Sequence, residues 1–67
     1  MEPPSELHRD YAASHEAAAE RHEAAAFDLE RQGDHQLADL EHRRALLERE
    51  TAEIEREHAA LLKSRGE

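Results

Sequence analysis

Cysteine and tryptophan are absent from this 67-residue chain, and tyrosine and phenylalanine occur once each. Without cysteine, no disulfide or thiolate metal site can staple a small fold. Two aromatics, Tyr11 and Phe27, are too few to stack successive bases or to line a large apolar pocket. Positive charge is also scarce: 9 lysines and arginines stand against 17 acids, for a net charge of -8. A nucleic-acid or anionic-membrane surface would need clustered positive charge, and the Arg43-Arg44 pair is too short a run to supply it.

No apolar run reaches the length of a membrane span. Met1 to Pro4 lacks the basic segment and apolar core of a secretory leader, so a cytoplasmic location is expected. Nothing in the chain resembles a glycine-rich phosphate loop. Ser14 directly precedes His15, and adjacent helix residues do not face each other, which removes the nearest thing to a nucleophile with a base. The chain is therefore read as non-enzymatic.

What is abundant is alanine, glutamate, arginine and leucine, a strongly helix-favouring mixture. The only mid-chain stop signal is Arg31-Gln32-Gly33-Asp34-His35, where glycine can close one helix in the left-handed conformation and aspartate can cap the next. Pro3-Pro4 bars a helix from running further back, and Ser5 is placed to cap it. These signals predict a helix over 5–32, a turn at 33–34 and a helix over 34–64, with disorder at 1–4 and fraying at 65–67. The fold class is all-α, an antiparallel two-helix hairpin.

The first arm repeats every seven residues. His8, His15, His22 and Leu29 form one stripe, bordered by Tyr11, Ala18 and Ala25 on one side and by Ala12, Ala19 and Ala26 on the other. Histidine would thus lie at the centre of a small-residue face. The second arm carries two apolar stripes, Leu40-Leu47-Ile54-Leu61 and Ala38-Ala45-Ala52-Ala59, on nearly opposite sides of the helix. Two apolar stripes call for two helical neighbours, and a lone hairpin offers one. Self-association is expected, because so small a hairpin buries little core by itself. The expected product is a homodimeric four-helix bundle with Leu29, Leu40, Leu47, Ile54 and Leu61 at the apolar contacts. Another protein is the alternative partner.

Reflection of the hairpin about Gly33 sets His22 opposite Arg44, between Glu41 and Glu48. It sets His15 opposite Thr51, between Glu48 and Glu55, and His8 opposite His58, with Leu29 and Leu37 closing the turn end. The imidazoles would then face carboxylates. Several readings stay open: packed imidazoles with one hydrogen-bond partner each, metal ligands, or a solvated groove, with pH sensing as a non-catalytic role because histidine changes charge near neutrality. Glu55 and His58, like Asp39 and His42, fit the acid-x-x-His spacing that places both groups on one helical face, as in di-metal carboxylate bundles. Ligands for zinc or iron would be His8, His15, His22, Glu55 and His58, completed by acids such as Glu6, Asp10 or a dimer-related Glu16. His35 and His42 read as surface residues.

Around the turn, Ala26, Gly33-Asp34, Ala38 and Ala45 resemble one unit of a tetratricopeptide repeat. In that family small residues at such positions let paired helices pack closely, and the resemblance implies a peptide-binding or scaffolding role. His35 and His42 stand where that family places bulky aromatics, and no second unit follows.

The expected function is a small interaction or oligomerisation module. The alternative is a metal-binding bundle that uses the histidine and carboxylate face.

Overall fold

The computed structural model describes residues 2–66. Helix α1 spans Pro4–Arg31 and helix α2 spans His35–Ser64, and they lie side by side as an antiparallel hairpin. The result is a rod with extents of 51 × 18 × 9 Å.

The turn is built as its residue types dictate. Gly33 has a φ of 82°, in the left-handed region where a side chain costs energy. That conformation lets the Asp34 amide donate to the Leu29 carbonyl and the Gly33 amide to the Glu30 carbonyl, each at 2.9 Å. These two bonds together make a Schellman closure. Asp34 then caps α2, accepting from the Leu37 amide at 3.1 Å. One residue therefore ends one helix and starts the other.

The start of α1 differs from expectation. Ser5 is not its cap: the capping position is Pro3, whose carbonyl accepts from the Glu6 and Leu7 amides at 3.0 and 3.1 Å. Pro4 opens the helix, where its missing N–H costs nothing, and Ser5 turns inward and is buried. At the other end Arg65 and Gly66 form a turn beyond α2. Met1 and Glu67, both expected to be unstructured, lie outside the described residues.

Between the helices runs a seam of alanine. Ala12, Ala19 and Ala26 of α1 and Ala38, Ala45, Ala52 and Ala59 of α2 are each at most 3% exposed, and among the described residues no larger side chain is fully buried. Ser5 extends the α1 series by one heptad. Side chains this small let the two backbones approach closely, but they release little energy. The seam sets the spacing of the two helices.

Candidate functional site

Each edge of the alanine seam carries a row of charge pairs, and the two rows run in opposite chemical senses. On one edge α1 supplies histidine and α2 supplies glutamate. His8 Nδ1 meets Glu55 Oε2, His15 Nδ1 meets Glu48 Oε2 and His22 Nδ1 meets Glu41 Oε2, all at 2.6 Å. Each carboxylate is acceptor-only when ionised, so each Nδ1 carries the proton and donates. A step of seven up α1 is answered by a step of seven down α2. The regularity of the row follows from the two heptads.

On the other edge α1 supplies glutamate and α2 supplies the cation. Arg56 pairs with Glu16 at 3.1 Å, Arg49 with Glu23 at 3.1 Å, and His42 Nε2 donates to Glu30 at 2.8 Å. His42 also donates from Nδ1 to Glu23 at 2.5 Å. Its imidazole is therefore held between two carboxylates and edges onto Phe27. The reading of His42 as a surface residue is corrected here: it is half-buried and joins the two helices. His35 is exposed. The Glu16, Glu23, Glu30 heptad and the His42, Arg49, Arg56 heptad were both written in the sequence, and pairing them was the step that sequence reasoning missed.

These contacts perturb the titrating groups where they are densest. Hydrogen bonds to Glu30 and Glu23 raise the His42 pKa above its ordinary 6.5. Glu23 is lowered from 4.5 by its bond from His42 and then by Arg49. Glu41 is lowered chiefly by its bond from His22, with Arg44 helping. In each case the partner favours the charged form.

The histidine row sits at the edge of the seam, not at its centre, which Ala12, Ala19 and Ala26 occupy. The reflection about Gly33 holds: His8 stacks on His58, the residue set opposite it, and His22 and His15 bond Glu41 and Glu48, each one of the two glutamates set beside its mirror position, while Arg44 folds back onto Glu41 along its own helix. Of the five candidate ligands, His8, Glu55 and His58 come together, with the two rings stacked at a centroid distance of 3.8 Å. His15 and His22 stand one and two heptads away, each with its own glutamate. Among the described residues no group of three or more His, Asp or Glu converges as a metal ion requires. A shallow open hollow lined by Arg9, Ala12, Ala13, Arg56 and Ala60 lies on the second edge. Its Arg56 is already taken by Glu16 and Glu53.

The remaining feature is what the fold leaves uncovered. Leu40, Leu47, Ile54 and Leu61 are 45%, 62%, 61% and 51% exposed, on the back of α2 away from the seam. Four large aliphatic side chains thus form a ridge along α2, and Leu37 and Leu46 of α2 and Leu7, Tyr11 and Phe27 of α1 are exposed outside it. Leu29 of α1, expected with them at the apolar contacts, is half-buried. No described helix is long and apolar enough to cross a membrane.

No protein-family model matches this chain, and neither the curated proteins nor the solved structures yield a match. The tetratricopeptide resemblance gains no support from them. What stands is the two-helix hairpin, whose Ala26, Ala38 and Ala45 are members of the alanine seam.

Proposed function

We propose that this hairpin is a non-enzymatic self-association module, in which the α2 ridge of one copy packs on the same ridge of another. The observation that carries the reading is the inversion of side-chain size. Alanine fills the contact inside the hairpin, and the leucines and isoleucine that would make a stronger one face outward at heptad spacing. Meshing helices repeat apolar residues about every 3.5 positions; here one position of each heptad is aliphatic and the rows beside it are mostly polar, so the ridge offers a narrow apolar contact bordered by charge.

The position of the ridge changes the expected architecture. Because it lies opposite the seam, two copies joined along it set their four helices in a row, α1-α2-α2-α1, and do not form a square bundle. Leu29 then takes no part in the contact. Sedimentation equilibrium of the untagged chain across the micromolar range tests the reading. A dimer mass that falls on dilution is expected. A monomer throughout, with full helicity, overturns it.

A further inference from the structure

From the charges that border this ridge we infer that the two copies pair antiparallel, with their turns at opposite ends of the dimer. The inference rests on the self-association reading above and adds its direction and register. The ridge is nearly symmetric about the midpoint between Glu50 and Thr51. An antiparallel partner therefore sets Leu40 against Leu61 and Leu47 against Ile54, so all four aliphatic side chains of each copy are matched at once. In-register parallel pairing also matches them, so the apolar residues alone do not choose.

The choice is made by the two rows beside the ridge. Gln36, Arg43, Glu50, Glu57 and Ser64 run along one side of it, and Leu37, Arg44, Thr51, His58 and Arg65 along the other. In an antiparallel pair like rows face each other, so Arg43 of each copy meets Glu57 of the second copy, twice by symmetry. In a parallel pair unlike rows face each other, so Arg43 of each copy meets Arg44 of the second, again twice. The first arrangement attracts and the second repels. The antiparallel arrangement also opposes the helix dipoles.

The state of these residues within one hairpin agrees with that assignment. Neither Glu50 nor Glu57 forms an ion pair with any other described residue, in a molecule whose seam edges are paired nearly throughout. Arg43 reaches only Asp39, at 3.0 Å. Its guanidinium has further donors to offer a second carboxylate. Glu50 falls on the two-fold axis, facing its own copy, and this one repulsive pair gives the dimer a signature.

The absence of native cysteine makes the test clean. Gln36→Cys and Ser64→Cys are prepared separately and oxidised alone and as an equimolar mixture, with sedimentation equilibrium on the reduced proteins. Antiparallel pairing predicts a cross-link between Gln36→Cys and Ser64→Cys in the mixture and none in either protein alone. A dimer in which each variant cross-links to itself, or in which no cross-link forms, overturns the orientation but leaves self-association standing. A monomer overturns both. As an independent readout, Glu50→Gln should tighten the antiparallel dimer roughly twofold or more by removing the pair on the axis. An unchanged affinity contradicts that register.

Discussion

Ala45 is completely buried, while Leu47, two residues further along the same helix, is 62% exposed. The smaller apolar side chain has the inside and the larger one the outside. Placement by hydrophobicity alone would reverse them, so the arrangement reflects two different contacts: a close one within the hairpin and a broader one beyond it.

Substitution at these two positions should separate the contacts. Ala45→Leu forces a large side chain into a seam with no space, and overpacking of this kind costs about 1–3 kcal/mol. A clear drop in melting temperature is expected. Leu47→Ala should leave the hairpin's own seam untouched and weaken association, seen as a lower midpoint at low concentration. Equal effects on a monomeric species would contradict the division of roles.

The turn offers a test free of packing. A Cβ added at Gly33 would meet nothing within 4 Å, so Gly33→Ala pays only for the left-handed backbone, whose φ is 82°. The expected loss is about 1–2 kcal/mol by denaturant titration. Asp34→Ala should cost about 0.5–2 kcal/mol through loss of the cap to Leu37.

Stability should peak in mildly acidic solution. The raised pKa of His42 means that its contribution is present at low pH and is lost as pH rises through the folded value. Glu23 and Glu41, whose pKa values are lowered, contribute above the ordinary 4.5, and that contribution is lost as pH falls through their folded values. Between these limits the His42–Glu23 and His22–Glu41 contacts keep charged carboxylates. Thermal melts across pH should therefore fall away on both sides, and His42→Gln should flatten the alkaline side. An unaltered alkaline slope in that variant would show that His42 is not its source.

The hairpin was legible in the sequence because Gly33, Asp34 and the two prolines speak locally, each through its own backbone preference. The facing of imidazole and carboxylate was legible too, since heptads on both arms restrict what can meet. Register was legible to within a turn, since His8 meets His58 as the mirror placed it; which of its two flanking glutamates an imidazole would take was not, because that depends on side-chain reach, and His22 bonds Glu41 and not Glu48. The rank of the stripes was also hidden. Ala12, Ala19 and Ala26 flanked the histidines on a helical wheel, and only the position of α2 decides which of those stripes is the centre.

Self-association through α2 is tested most directly by sedimentation equilibrium of the untagged chain beside its Leu47→Gln, Ile54→Gln double variant, with circular dichroism on the same samples. The expected result is a concentration-dependent dimer for the parent and a shift toward monomer for the variant, with any loss of helicity following the loss of the dimer on dilution. A variant that dimerises as tightly as its parent would contradict the account, and the ridge would not be the face that joins two copies.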